Sequence, residues 1–394
     1  MQIIKAVAAG SLVLMASLAP RADAQSIAQR VAAVRDGKVR MTFASRPDLC
    51  GWGNGISTNA DFERGSTRSW SDDRNDDVAF DDDCSRGPGR LVITMRGGEV
   101  DHIRAYIGGR WKADNSARDL GQVSTRQLTD YLFGIANEGS GRAAHEAVFP
   151  ATLADSVNVI QPLYDLARNE SKPKDVRDQA VFWLSQQPED RAVDLLENIL
   201  KTARSQDVRD KAIFGLSQHR SGKGFPILRA YAEDNRQPDD LRGKAIFWLG
   251  QRKGAERFDY LRGLYTRLDS HDLKDKVIFA MSQQKDEASM KWLVDLALNS
   301  NEAMDNRKKA LFWAGQSGGS IANLTSMYDR MREQELKEHM VFVLSQRREQ
   351  AAMDKLMSIA RNDPDRNLRR KAMFWLGQSH DPRVTAFLAD IIAR

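Results

Sequence analysis

Val176–Gln186 reads V-R-D-Q-A-V-F-W-L-S-Q, and variants of this stretch return six more times along the chain. The phenylalanines of the seven copies are spaced 30 to 33 residues apart, at Phe182, Phe214, Phe247, Phe279, Phe312, Phe342 and Phe374. Self-similarity at such a period is typical of a solenoid, in which one supersecondary unit is stacked repeatedly. The sequence therefore predicts a mostly α chain whose larger part, residues 143–394, is an α-solenoid of about seven or eight two-helix repeats.

The first 24 residues have a composition of their own. Lys5 precedes an apolar run, Ala6–Ala19, and an A-x-A tripeptide ends at Ala24. This arrangement is typical of a secretory signal, and the run is shorter than the roughly 20 residues that span a bilayer. We expect residues 1–24 to be cleaved off before Gln25 and the mature protein to reach the periplasm, without a membrane span.

Residues 25–115 predict a small β-rich domain. Val39–Phe43 alternates apolar and polar residues, and Leu91–Met95 and Val100–Ile107 are two further strand candidates joined by a Gly-Gly turn signal. The pattern turns helical after this domain, so residues 116–142 are expected to form a linker and a capping helix before the solenoid.

Both cysteines, Cys50 and Cys84, fall within the β-rich domain. In an exported protein a close pair is typical of a disulfide rather than a metal site, with a free buried pair as the alternative. Closing that loop would stabilise the domain by roughly 3–4 kcal/mol on a chain-entropy basis.

An acidic run lies between the two cysteines. Its members are Asp72, Asp73, Asp76, Asp77, Asp81, Asp82 and Asp83. Clustered carboxylates suit calcium, but the EF-hand template fails because Val78 takes its invariant glycine position and Cys84 takes its final glutamate position. We favour a solvated acidic loop and predict no metal site.

Each repeat is expected to hold two helices, the first formed by the signature stretch and the second following directly, as in Asp190–Ala203. On a 3.6-residue helix, Val176, Ala180, Trp183 and Leu184 share one arc, which we assign to the partner helix. Both flanks, Val181 and Phe182 in the first copy, are expected to pack on adjacent repeats. The strip left exposed would hold Asp178 and the small residue that precedes the last glutamine, always Ser or Gly.

Ala144–Asp155 is interpreted as a degenerate first copy of the repeat. In it, Pro150 replaces the tryptophan and would end the helix early.

An acidic and a basic residue open most copies, two positions apart. They are Asp175 and Arg177, Asp207 and Arg209, Asp240 and Arg242, Asp272 and Lys274, Asp305 and Arg307, Glu335 and Lys337, with Arg369 alone in the last copy. The acid suits a helix N-cap, and the base is expected to bond the acid of a neighbouring repeat, giving a structural ladder. A basic stripe for phosphates is the alternative, which the paired acids would neutralise.

Two recurring positions could serve more than packing. Every copy ends in glutamine, at Gln186, Gln218, Gln251, Gln283, Gln316, Gln346 and Gln378. This stripe is a candidate partner-binding surface, and bonding to neighbouring backbone is equally compatible with it.

At another signature position tryptophan alternates with small residues, and the tryptophans are Trp183, Trp248, Trp313 and Trp375. This alternation favours volume matching in the core over a ligand-binding site.

The stretch D-V-R-D-Q-A-V-F-W-L at Asp175–Leu184 resembles the short HEAT repeats of bacterial proteins, including those of the phycobilisome-lyase kind, and the likeness covers Ala143–Arg394. Tetratricopeptide and ankyrin patterns are missing. The resemblance implies a right-handed superhelix whose signature helices line the concave side, and binding rather than catalysis. It extends to exported bacterial HEAT-repeat proteins of undefined role, so no specific partner carries over.

Known catalytic motifs do not occur in the sequence: H-E-x-x-H, G-x-S-x-G, the P-loop and G-x-G-x-x-G after a strand are all lacking. The net charge of +5 over 394 residues gives no case for nucleic-acid binding. The sequence predicts an exported scaffold without enzymatic activity or cofactor, which binds a protein or peptide partner. The alternative is a cell-envelope enzyme with its site in the N-terminal domain, around Trp52, His102 and the acidic run.

Overall fold

The computed structural model describes residues 26–53, 55–58, 77–139, 141–251, 256–284, 286–317 and 320–392. The predicted signal lies outside them. The chain divides into two compact units, Met1–Trp183 and Leu184–Arg394. Its described residues form eight strands, all before residue 123, and 18 helices, of which the later ones repeat in pairs. The fold class predicted from the sequence, an α-solenoid with a small β-rich N-terminal region, is confirmed.

The first unit contains a four-stranded sheet in the order β6–β5–β1–β8, with two small two-stranded sheets, β2–β3 and β4–β7. The strands are β1 Gly37–Phe43, β2 Leu49–Trp52, β3 Gly55–Thr58, β4 Val78–Ala79, β5 Gly89–Arg96, β6 Glu99–Ile107, β7 Arg110–Trp111 and β8 Arg118–Gln122. β5 and β6 form the predicted hairpin, and Gly97 and Gly98 in its turn have φ of +63° and +90°. Glycine suits this turn because it adopts positive φ without steric cost.

The edge strand β8 lies within the range predicted as linker and capping helix. It pairs parallel to β1, with a register shift between Arg40 and Thr42. Leu120 is its one buried residue, so β8 lacks the apolar alternation by which β1 was recognised. The sheet is therefore completed by a segment beyond the predicted domain boundary at residue 115.

Cys50 and Cys84 form the predicted disulfide, with their Cα atoms 5.1 Å apart. The backbones of Gly51 and Ser85 exchange two hydrogen bonds next to it, of 3.0 and 2.8 Å. The bond thus joins β2 to the loop before β5, and it does so across 34 residues of sequence.

Five helices belong to the first unit wholly or in large part: α1 Ile27–Ala32, α2 Thr125–Glu138, α3 Gly141–Ala151, α4 Ile160–Arg168 and α5 Lys174–Ser185. α3 packs on α2 and on strand β6. It ends one residue after Pro150, in agreement with the predicted early stop, and the Phe149 ring stacks on Trp183 with centroids 4.5 Å apart.

The second unit is a stack of helix pairs. Its further helices are α6 Asp190–Thr202, α7 Gln206–Gln218, α8 Gly224–Glu233, α9 Asp239–Gln251, α10 Glu256–Arg267, α11 His271–Ser282, α12 Glu287–Leu298, α13 Met304–Gln316, α14 Ile321–Arg330, α15 Gln334–Ser345, α16 Gln350–Asn362, α17 Arg366–Gly377 and α18 Pro382–Ile392. The odd-numbered helices from α5 to α17 carry the repeated stretch and are called signature helices, and the even-numbered ones from α6 to α18 are partner helices. From α7 to α17 each signature helix contacts the next one, which is the packing that defines a solenoid.

The described part of the chain contains no helix with the length and apolar composition needed to cross a membrane.

Candidate partner-binding face

The two flanks of the signature helices differ in burial. The flank of Val181 is fully buried in the next copies as well, at Ile213, Ile246, Ile278 and Leu311. The phenylalanine flank is only half-buried, from Phe214 to Phe342. The prediction that both flanks are buried was therefore wrong for this side. A helix that packs on its partner and on both neighbours leaves part of its circumference to solvent, and the phenylalanines border that part.

The small residues near the end of each signature helix are mostly not exposed, contrary to the prediction. Ser185, Ser217, Gly250, Ser282 and Gly315 are buried, whereas Ser345 is half-buried and Gly377 is exposed. A Cβ atom on Gly250 would lie 2.6 Å from Ala280 Cβ of the next signature helix. In the same way, Ser185 Cβ lies 2.8 Å from the place that a Cβ atom on Gly215 of the next signature helix would occupy. These positions are small because consecutive signature helices approach most closely there.

A continuous row of rings runs along the signature helices of the second unit. We call it the aromatic row. It consists of Phe214, Trp248, Phe247, Phe279, Trp313, Phe312, Phe342, Trp375 and Phe374, with neighbouring ring centroids 4.9 to 6.3 Å apart. Where the next copy carries Trp, the phenylalanine meets it edge-on or tilted, and where it carries Ala or Val, the phenylalanine stacks on the next phenylalanine.

The tryptophans of this row are not core residues. Trp248, Trp313 and Trp375 are each half-buried, whereas Trp183 of the first unit is buried. Phe374 at the end of the row is 59% exposed. This surface was not predicted, although an adjacent Phe-Trp pair recurs in four copies of the sequence. Two neighbouring positions on a helix point about 100° apart, so both could not face the partner helix.

Ion pairs cross from one signature helix to the next beside the aromatic row. Asp210 pairs with Lys244 at 2.6 Å, Asp275 pairs with Lys309 at 2.9 Å, and Glu338 pairs with Lys371. Each pair joins the third residue of the signature in one copy to the fourth residue in the next. We call these pairs rungs.

Between α9 and α11 the rung is replaced by a groove. Gly243 stands where α7, α11 and α15 carry the acid of a rung. Lys276 of α11 lies beside it, and its Cγ is 3.2 Å from the place that a Cβ atom on Gly243 would occupy. The groove has a volume of about 610 Å3. Its floor consists of Phe247, Phe279 and Trp313. The groove thus lies where the acidic side chain is missing, and it opens onto three rings of the aromatic row.

The rim of the groove is acidic. Five aspartates line it, at Asp207, Asp239, Asp240, Asp272 and Asp275, against the two lysines Lys244 and Lys276. Asp239 is paired with buried Arg242 at 2.9 Å, and Asp275 and Lys244 belong to rungs. Asp240, Asp272 and Lys276 take part in no ion pair among the described residues, so the groove keeps an excess of negative charge.

The seven candidate glutamines border this face, six of them exposed and Gln186 half-buried. Gln186, Gln218, Gln283 and Gln346 donate their side-chain N–H to the hydroxyl of the preceding serine at 3.1 to 3.2 Å. Gln251, Gln316 and Gln378 follow glycines, which offer no hydroxyl. The stripe is thus accessible and partly tethered, and a role in binding stays a prediction.

The acids and bases that open each copy are arranged differently from the predicted ladder. Asp207, Asp240, Asp272, Asp305 and Glu335 lie exposed in the first turn of their helices and not at the N-cap, as does Asp175 in the first unit. The basic side chains do not lie on the same side of the helix as these acids, because residues two positions apart on a helix do not face each other.

Several of these bases cap partner helices instead. Arg209, Arg242 and Arg307 donate Nε–H to the carbonyls of Leu200, Ala232 and Ala297 at 2.9 to 3.0 Å, and Arg369 donates to Asp363 O at 2.7 Å. A cation suits the negative end of a helix. Arg307 also reaches into the next repeat, 3.0 Å from Glu333, and this hydrogen bond lowers the pKa of that carboxyl. Lys274 lies 4.0 Å from Glu302, and Lys337 sits over the Tyr328 ring.

His102, proposed for the alternative enzyme site, joins strand β6 to helix α3 in the first unit. Its Nδ1 lies 2.5 Å from Glu146 Oε2, and Arg104 donates to its Nε2 at 2.6 Å. Glu146 also accepts from the Ile103 backbone and from Arg142. These contacts make His102 part of a link between sheet and helix.

The described members of the acidic run are paired or lie on loops. Asp77 binds Lys38 at 2.5 Å and accepts a hydrogen bond from Tyr106 at 3.2 Å. Burial, followed by the charge of Asp77, raises the pKa of Tyr106. Asp81 pairs with Arg110. Asp72, Asp73 and Asp76 lie outside the described residues. Within the described ranges no cluster of three His, Cys, Asp or Glu could hold a metal ion.

No protein-family model and no curated protein matches this chain. Among solved structures, human deoxyhypusine hydroxylase in complex with glycerol is 18% identical, with 59% of this chain and 88% of that one covered and a TM-score of 0.29. The complex of CpcE and CpcF of the Nostoc phycocyanin lyase is 16% identical, with 62% and 95% covered and a TM-score of 0.28. UNC-45 from Drosophila melanogaster is 11% identical, with 68% and 48% covered and a TM-score of 0.24. These TM-scores are too low to support an argument, so the HEAT-like repeat architecture is inferred from the helix packing of this chain itself.

Proposed function

We propose that this protein is an exported scaffold without enzymatic activity, and that it binds a protein or peptide partner along the aromatic row. The observation that carries the proposal is the row itself, a half-exposed line of phenylalanines and tryptophans from Phe214 to Phe374. Aromatic side chains dominate the energetics of protein interfaces because they bring a large contact area at a small entropic cost.

Two other features support binding over a purely structural role for this face. The fully buried aliphatic flank of the signature helices, Ile213, Ile246, Ile278 and Leu311, already packs the repeats against each other, so the stack does not depend on a solvent-facing aromatic line. The exposed glutamines along the same helices offer amide donors and acceptors to a partner backbone.

The proposed export rests on the basic start, apolar run and A-x-A ending of residues 1–24. Mass spectrometry of the protein recovered from the periplasm is expected to find an N-terminus at Gln25. A chain that keeps Met1 and stays in the cytoplasm would contradict export.

The alternative of an envelope enzyme in the first unit gains no support from the described contacts. His102 contacts Glu146 and Arg104 rather than aspartates of the acidic run. Both nitrogens of its ring are engaged in the link between β6 and α3.

Photo-crosslinking tests the binding face directly. Benzoylphenylalanine is placed at Phe279 of the aromatic row and, as a matched control, at Phe258, a half-buried phenylalanine on partner helix α10. We expect crosslinks to a partner at position 279 and not at 258. The captured partner is then purified and its Kd measured against Phe279→Ala and Phe258→Ala, with a roughly tenfold or larger weakening expected for the first alone. Equal crosslinking at both positions, or equal Kd values for both variants, would refute a binding role for the row.

A further inference from the structure

We infer that the groove between α9 and α11 recognises an arginine-containing segment of a partner. The inference rests on the proposed binding role of the aromatic row and names the chemistry of what it binds. Its basis is the coincidence, at one place in the stack, of an uncovered aromatic floor with an acidic rim.

The floor offers ring faces to a flat cation. Phe247 and Phe279 stack with an angle of 10° and centroids 6.1 Å apart, and Phe279 meets Trp313 edge-on at 4.9 Å. All three side chains are half-buried, so part of each ring faces the groove. Guanidinium groups stack on aromatic faces and gain cation–π attraction there, which is strongest over tryptophan.

The rim supplies the counter-charge. Asp240 and Asp272 occupy equivalent positions in the first turns of α9 and α11, both are exposed, and both line the groove. Three other charged residues of the groove form ion pairs: Asp239 with Arg242, Asp275 with Lys309 and Lys244 with Asp210. The single positive charge of Lys276 neutralises only part of the negative charge of the rim. A carboxylate pairs with both N–H groups of a guanidinium in a fork geometry that an ammonium cannot copy, which favours arginine over lysine.

The groove is a property of this interface and not of the repeat. Gly243 is the residue that opens it, since Asp210, Asp275 and Glu338 fill the equivalent position in rungs. At this interface a ligand that binds along the stack would therefore bring a basic side chain against the rings and the acidic rim together.

The test uses the purified mature chain and short fluorescein-labelled peptides in a Gly-Ser background, carrying three arginines, three lysines, three glutamines or three glutamates. Fluorescence anisotropy gives each Kd. We expect the arginine peptide to bind tightest, the lysine peptide several-fold more weakly, and the other two to bind at least tenfold more weakly than arginine. The affinity should fall as salt rises, because part of it is electrostatic. Equal binding of the glutamine and arginine peptides, or no measurable arginine binding, would overturn the inference.

Paired variants locate the site. Asp240→Asn with Asp272→Asn removes the charge of the rim while keeping its shape, and roughly a tenfold loss of affinity for the arginine peptide is expected. The matched control is Asp305→Asn, an exposed acid at the same repeat position on α13 that does not line the groove. For the floor, Phe279→Leu is compared with Phe258→Leu, and thermal unfolding checks that each variant is folded. A loss with Asp305→Asn as large as with the rim variant would mean that only overall charge is sensed, and would overturn the inference.

The two proposals fail separately. If the arginine peptide does not bind while crosslinking at position 279 still captures a partner, the aromatic row is a binding face and its ligand is not basic. If neither occurs, the proposed function fails as well.

Discussion

The interface of α7 with α9 and that of α9 with α11 are built from equivalent sequence positions, yet the first is closed and the second open. In the first, Asp210 and Lys244 form a rung 2.6 Å long, and Phe214 meets Trp248 edge-on. In the second, Gly243 provides no partner for Lys276, and Phe247 stacks on Phe279. Two equivalent interfaces of the repeat therefore differ in their side chains: one has an ion pair beside the aromatic row, and the other has a groove at that place.

The largest effect is expected at Gly250, where the lack of a side chain lets α9 and α11 approach closely. Gly250→Ala places a Cβ atom 2.6 Å from Ala280 Cβ, so α9 and α11 must separate. Overpacking of this kind costs about 1–3 kcal/mol. Urea unfolding measures the loss.

Gly377→Ala is the control for that substitution. It lies at the equivalent position of the last signature helix, where a Cβ atom would meet nothing within 4 Å. There the change should be neutral or should stabilise the helix by up to about 1 kcal/mol. A similar loss at both glycines would show that the close approach between signature helices is not the cause.

A smaller effect of opposite sign is expected from Gly243→Asp, which converts the open interface into the closed type. The new carboxylate can pair with Lys276, and Asp is a better helix residue than Gly, so we expect stabilisation by about 0.5–1 kcal/mol. A double-mutant cycle with Lys276→Met isolates the pair, with a coupling of roughly 0.5 kcal/mol. Absence of coupling would mean that the groove is not a missing rung.

Removing an existing rung should cost less. Lys309→Met eliminates the pair with Asp275, in which the two side chains are 44% and 30% exposed. Pairs of this kind contribute about 0–1 kcal/mol because water screens them. Thermal unfolding at low and high salt gives the test, and a larger loss that is insensitive to salt would show that Lys309 stabilises through packing.

The smallest effect concerns pH, at the interface of α13 with α15, where Lys308 pairs with Glu335 instead of forming a rung. Lys308 takes the acid position of α13, and His339 takes the lysine position of α15. Burial and the Lys308 charge lower the pKa of His339 from its usual 6.5. Below that pH the unfolded chain binds a proton that the folded chain resists, so stability should decrease as pH falls through 6.5. His339→Gln is expected to flatten this part of the stability profile in urea titrations. A profile unchanged by the substitution would mean that His339 titrates normally.

Much of the fold could be predicted because it depends on residues that recur. The seven signature helices match the seven copies within a few residues, and the β5–β6 hairpin follows from Gly97 and Gly98 between two apolar runs. Strand β8 could not be predicted, since its polar sequence is ordered by pairing with β1 rather than by its own pattern.

The candidate site was predicted only in outline. The glutamine positions indicated which helices border the proposed binding face, but the direction of each side chain depended on the neighbouring repeats. Phe279 and Ser282 show this most clearly. Both were assigned from one helix taken alone, and packing against α9 and α13 left the phenylalanine half-exposed and the serine buried.

Val176–Gln186 and its six variants thus determined the helices, the period and the solenoid, because local periodicity and capping act within one copy. Tertiary structure alone decided which flank of each helix reaches solvent, where ion pairs close the interfaces, and that Gly243 opens one of them. These properties depend on distances between side chains of different copies, and such distances are set by packing rather than by any single copy of the repeat.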